Sequence, residues 1–479
     1  MVAGTALGWT KRSGAVSRRR FIGGASAAGT AGISAALAAC APGGGTGGSG
    51  GGAQPPAGAG LSSAMKTATL EGWAHSDARY EWQIKALEDY NKEKGSSVKI
   101  NWTKKASAGE VADNLVVTLA AGSGFPDVCD VEISQMGKLL KTTPPLVAFN
   151  DALRGRQNEF FMPSFVDPWS LQGKWYGLGN ELNTVLLTYR HDLFDKAGVK
   201  GPLKTWDDVI DAGKRLTAAQ VTHGISFLTT GTAGHFHVLS IIGGGGYLEN
   251  GNKLTINHQA NQRALQYLVD LAHKHKAGVL EADVPGAERD AAYNGGKVGG
   301  DIGPSWRISG TTRKRAAADT NGRWMVQHMP QWSGTARTTT SWGGTGMTVL
   351  KDSKFKDVGV DFVVWEHVTP KAVLYDYDLR QVYPVLKKAY EDPRLNDGVP
   401  WFNNQKVGTV LKEAADAMKP FSQGLWWPDI SGAAGKHVTA AMKNEKPVKQ
   451  ALDEAQAEAK AAIETAGGRI DSSFVIQGS

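Results

Sequence analysis

From Thr67 onward, short β-like runs alternate with amphipathic helical stretches, and this alternation restricts the chain to an α/β architecture. Residues 68–73 read as a strand. Residues 80–93 read as a helix that brings Trp82, Ile84, Leu87 and Tyr90 near one face, and residues 98–102 as a second strand. Residues 111–121 continue as a helix up to Gly122, and residues 127–131 form a third strand. Thr205, followed by Trp206, Asp207 and Asp208, is an N-cap with acids in the first turn, opening a helix to about residue 216. Residues 261–275, 356–367 and 448–466 are helical by period and composition. With 479 residues the chain exceeds one ordinary core, so two or three structural units are expected.

Ahead of this body stands a segment of different character. Ser17-Arg18-Arg19-Arg20-Phe21-Ile22 precedes a weakly apolar Gly/Ala stretch that ends in Leu37-Ala38-Ala39-Cys40. The paired arginines resemble a twin-arginine export signal, and the last four residues resemble the lipobox at which bacterial lipoproteins are cleaved and acylated. Residues 1–39 are therefore expected to be a signal peptide, with Cys40 lipidated and the chain anchored on the outer face of the cell membrane. A transmembrane helix over residues 21–39 is disfavoured, because Ala and Gly dominate it. Residues 40–65 are rich in Gly, Ser and Pro and read as a flexible leash.

The formal charge of +7 invites a nucleic-acid reading. Five of the basic residues (Lys11, Arg12, Arg18, Arg19, Arg20) lie ahead of Cys40, where there is no acid, and the remainder carries a surplus of only two. No polyanion partner is expected. Of the two cysteines, Cys40 is consumed by acylation in this reading, and Cys129 sits in an apolar run as a small buried residue without a disulfide partner.

An ordered series of segments then carries a resemblance. It comprises Leu70-Glu71-Gly72-Trp73, residues 119–128 (Leu-Ala-Ala-Gly-Ser-Gly-Phe-Pro-Asp-Val), Gly173-Lys174-Trp175-Tyr176-Gly177-Leu178, residues 187–199 and Thr205-Trp206-Asp207. In this order the chain resembles family 1 of the extracellular solute-binding proteins, the sugar-type receptors of ABC importers, from about Thr67 to the C-terminus. Arg190-His191 departs from the Asn-Lys usual there. The resemblance implies a two-lobed, type II periplasmic-binding-protein-like α/β fold with a hinge. It places the N-terminal lobe at 66–182 with 346–395 and the C-terminal lobe at 183–345 with 396–479, with crossings near 179–184 and 343–348 and a return after about Tyr383. It implies a monomer that captures a mono- or oligosaccharide and delivers it to permease subunits, without catalysis or cofactor. A non-sugar solute, or a secreted carbohydrate-active enzyme, is the alternative.

A sugar offers apolar C–H faces and a rim of hydroxyls, so its receptor needs aromatic platforms and a few directed polar groups. Several of the 15 tryptophans fall beside glycine or at element ends: Trp73, Trp306, Trp342 before Gly343, and Trp426-Trp427. The alternative for each is an aromatic packed beneath its own loop. By family position, Asp77, Asp130, Glu132, Glu181 and Arg380 would add polar contacts.

Other chemistries find little support. Gly295-Gly296-Lys297 is followed by Val298 and preceded at the required position by Ala291, which breaks the phosphate-loop pattern. Gly-x-Ser-x-Gly occurs only in the leash. His235/His237 and His273/His275 are two apart, a spacing that faces them to different sides of a helix, and they read as solvated surface residues rather than metal ligands.

Overall fold

The helices begin where the sequence supplies caps. Ser107 accepts a hydrogen bond from the Glu110 amide and opens the helix Ala108–Ala121, which Gly122 ends in a left-handed conformation. Thr205 and Asp208 form a reciprocal capping box at the head of Trp206–Ala218. The computed structural model describes residues 62–141, 143–222, 224–228, 234–281, 287–308, 320–419, 421 and 423–477. The signal, Cys40 and the leash as far as residue 61 lie outside the described residues.

The expected strands appear as Thr69–Ala74, Lys99–Lys104 and Val128–Glu132, and they pair in parallel with Thr69–Ala74 in the middle. Thr345–Val349 then adds antiparallel to Val128–Glu132 and is followed by Leu178–Gly179, completing a five-stranded sheet. A second five-stranded sheet repeats this plan. Gly278–Glu281, Gly224–Leu228 and Val298–Gly303 run parallel, Leu186–Arg190 joins antiparallel, and Trp324–Gln327 closes the edge. The antiparallel strand of the second sheet follows directly on Leu178–Gly179 of the first, and that of the first sheet follows the short strand Thr339–Thr340, which pairs with Met418–Lys419.

These connections define the crossings. Residues 180–185 lead from Leu178–Gly179 of the first sheet to Leu186–Arg190 of the second, and residues 341–344 lead back to Thr345–Val349. The two segments are bonded to each other, with Val185 N donating to Thr340 O and Trp342 N to Asn183 O, both at 3.0 Å. Residues 383–385 lie alongside: Leu182 N donates to Tyr383 O at 2.8 Å and Val385 N to Asn180 O at 3.0 Å.

Two details differ from the sequence reading. Helix Glu81–Lys94 buries Trp82, Gln83, Ala86 and Tyr90 and leaves Ile84 46% exposed, so its apolar face follows the i, i+4 row through Trp82, Ala86 and Tyr90 and excludes Ile84. The helix expected over 261–275 is Gln259–Val269, continued by one wider π-helical turn, Asp270–Lys274.

Candidate functional site

Ligands of open α/β sheets sit outside the carboxyl ends of the strands. From the end of Thr69–Ala74 the chain enters the short turn Asp77–Arg79, which delivers Arg79 into the interior. Arg79 Nε donates to Asp130 Oδ2 at 3.1 Å, Nη1 to Glu181 Oε1 at 3.2 Å, and Nη2 to the Thr345 carbonyl at 3.1 Å. Its partners lie on the 128–132 strand, the first crossing and the end of the second. A planar fork of five donors suits this triple duty, which an ammonium group could not match. Arg380 pairs with Asp376, and Asp376 also accepts from Asn180 Nδ2 at 3.0 Å.

Burial raises the Asp130 carboxyl, and the guanidinium of Arg79 works against that rise. Burial, with Arg79 and Arg380 nearby, lowers His75 to about 4, so it is neutral at pH 7. Asp130 Oδ1 and Glu181 Oε2 have no hydrogen-bond partner among the described residues.

Glu132 lies two residues beyond Asp130 and so on the same face of the strand. Its Oε2 accepts from the Ser134 amide at 2.9 Å and from the Ser134 hydroxyl, which in turn accepts from Gln135 Nε2 at 2.8 Å. Burial raises the Glu132 carboxyl to about 7, against those hydrogen bonds. On the second crossing, Gly343 takes φ +63°, a left-handed conformation that favours glycine. A Cβ there would lie 3.5 Å from the Trp306 ring and 3.9 Å from Glu132 Oε1. An acid from the first sheet and an indole following the second thus converge on one crossing glycine.

Each aromatic has its own support. Trp306 follows the Val298–Gly303 strand in a turn braced by the buried Asp301–Arg307 pair at 3.3 Å and by the Ser305 hydroxyl, which donates to Leu182 O. Its indole N–H donates to Trp342 O at 3.2 Å. The Trp342 ring is met edge-on by His235 at 5.2 Å and His237 at 5.4 Å. These histidines are fully buried, which corrects the expectation of solvated surface residues. His235 Nε2 lies 3.0 Å from the Ile302 carbonyl, so that nitrogen carries the proton, and burial lowers the ring to about 3.

Several expected site residues lie elsewhere. Trp427 is 2% exposed and packs edge-on against Tyr247 and Phe421 in the core of the second sheet, where no solute can stack on it. Trp73 is likewise buried, with Val111 and Leu115, and Lys105 Nζ stands 4.0 Å over its ring. Trp426 is half-buried beneath Lys141. Asp77 is exposed and paired with Lys104 at 2.7 Å, and Arg380 is engaged by Asp376. Glu132, Trp306, Trp342 and Gly343 come together, with Asp130 and Glu181 joined beside them through Arg79.

A family model described as bacterial extracellular solute-binding protein matches residues 85–402. The chain belongs to that family. Among its relatives, the arabinooligosaccharide-binding protein of Bacillus subtilis (strain 168) is 26% identical over 404 residues, covering 82% of this chain and 92% of that one. The arabinooligosaccharide-binding protein of Halalkalibacterium halodurans is 26% identical over 328 residues, covering 67% and 73%. Among solved structures, the GacH receptor of Streptomyces glaucescens GLA.O superposes with a TM-score of 0.68 at 19% identity, covering 83% of this chain and 98% of that one. The two-lobed α/β fold of such binding proteins is therefore the fold of this chain.

In this solute-binding fold the residue most clearly missed by sequence reasoning is Arg79. Asp77 was the expected polar contact, whereas the side chain that ties Asp130 to Glu181 lies two residues later, at the end of the 3-10 turn. Ser134 and Gln135 were missed as well. A Glu-x-Ser-Gln run at a strand end, with the serine able to bond back to the acid, is the signal that could have found them.

Proposed function

We propose that the protein is the extracellular solute-binding lipoprotein of an ABC importer. In this reading it is anchored through Cys40 on the outer face of the cell membrane, acts as a monomer, and hands a mono- or oligosaccharide to permease subunits. Its lobes are residues 66–182 with 346–395 and residues 183–345 with 396–479. The carrying observation is the convergence of Glu132 and Trp306 at Gly343, one group from each sheet on a crossing segment. A sugar ring placed there would lay its C–H face on Trp306 and donate a hydroxyl to Glu132. The names of the arabinooligosaccharide-binding relatives support the same class of ligand.

Binding without turnover is the better reading of the acids. Asp130 and Glu181 share one arginine, so neither is free to serve as the partner of Glu132 in the two-carboxylate arrangement of glycoside hydrolysis. The test is thermal shift and calorimetry with arabino-oligosaccharides, galactosides and maltodextrins, using amino acids, polyamines and phosphodiesters as controls. One sugar series should raise the melting temperature saturably, with no product after hours. A shift with controls alone would remove the sugar assignment, and accumulating product would remove the binding-only role.

A further inference from the structure

The two halves of the fold touch again beside the second crossing, where Ile133 N donates to Gly344 O at 3.0 Å. The short helix Met136–Leu140 follows the 128–132 strand, and residues 424–426 lead into the helix Trp427–Met442, whose buried face joins the core of the second sheet. At Gly137 an added Cβ would lie 2.3 Å from the Leu425 carbonyl oxygen and 2.8 Å from Pro428 Cδ. Leu425 packs against the cluster that holds Met136 and Leu139. Lys141 Nζ meets Asp429 Oδ2 at 2.5 Å and stands 4.6 Å over the Trp426 ring, with the two charged side chains only 23% and 16% exposed.

Glycine is a poor helix residue compared with alanine, so position 137 sacrifices helix stability for close approach. Nothing else in the first half needs that approach, because the atoms that a Cβ would meet most closely belong to residues 425 and 428.

We infer that the 137–141 face and the 425–429 segment form a latch that engages only when the lobes are closed, so Gly137, Lys141 and Asp429 set solute affinity without touching the solute. A contact made in one of two states shifts their balance, and apparent affinity scales with the population of the competent state. The affinity part rests on the proposed function; the lobe arrangement can be read without any solute.

The experiment compares the full-length protein with Gly137→Ala and with the charge-removing Lys141→Gln and Asp429→Asn. Small-angle X-ray scattering gives the radius of gyration without solute, and calorimetry gives the affinity for whichever sugar the wild type binds. Gly137→Ala should keep or raise the melting temperature, expand the unliganded protein and weaken binding roughly tenfold, the scale of a modest two-state coupling. The charge variants should act in the same direction by a smaller factor that shrinks as salt rises. Either a larger radius or weaker binding at an unchanged melting temperature supports the latch. Unchanged radius and affinity in all three variants would overturn it, as would a fall in melting temperature that accompanies every loss of affinity. If no sugar binds the wild type, the proposed function fails and scattering alone decides the latch.

Discussion

The two contacts between the halves are built from opposite materials. At the crossings the chain itself passes between the sheets, its segments are bonded backbone to backbone, and a buried guanidinium joins Asp130, Glu181 and Thr345. At the other contact there is no covalent continuity, but an ion pair, a cation over a ring, Leu425 against the Met136 and Leu139 cluster, and the space left by a missing methyl group. The first set of interactions runs along the chain that bends at the crossings, whereas the second, in our inference, is made only when the lobes are closed. A hinge and a latch therefore call for different chemistry, and a substitution at each should give a different signature.

The largest effect is expected at the hinge. Arg79→Met leaves two buried carboxylates without their cation and should cost about 3–5 kcal/mol of stability, measured by urea unfolding. Near-wild-type stability would mean that Arg79 is no tie between the segments. A loss of the same order, about 3–5 kcal/mol, is expected for Trp427→Ala in the second core. Trp306→Ala should instead leave the unfolding midpoint close to wild type and abolish sugar binding. If the two tryptophans behaved alike in either assay, the division between core and platform would be wrong.

A subtler effect concerns Glu132. Its folded-state pKa, about 7, lies above the ordinary 4.5, so the native state holds a proton that the unfolded state releases. Its contribution to stability is complete below pH 4.5 and is lost as pH rises through about 7. Glu132→Gln should flatten that part of the stability–pH curve, and an unchanged slope would place the titration elsewhere. Smallest of all is Asp77→Asn. Because the exposed Asp77–Lys104 pair lies outside the converging group, solute affinity should not move in a calorimetric titration.

Much of the architecture was legible in the sequence. The capping box at Thr205, the glycine stop at Gly122 and the strand–helix alternation after Thr67 are local signals, carried by residues within one or two turns of each other. The ordered motif series pointed to the family for a related reason, since it samples many local elements in a fixed order. The polar part of the site was legible only in outline. Asp130, Glu132 and Glu181 could be placed at strand ends and crossings, but Arg79, the partner shared by Asp130 and Glu181, is 51 residues from the first and 102 from the second.

The tryptophans mark the boundary between the two kinds of information. Their number and their position beside glycines are properties of the chain, and these made Trp306, Trp342 and Trp427 equal candidates. Tertiary packing separated them: Tyr247 and Phe421 enclose Trp427, two buried histidines hold Trp342 edge-on, and Trp306 is left half-buried beside Gly343 and Glu132. Local period and capping fix an element because hydrogen bonds and side-chain rows along a helix or strand are short-range. Whether a ring becomes core or platform depends on which distant surfaces close over it, and only the assembled sheets determine that.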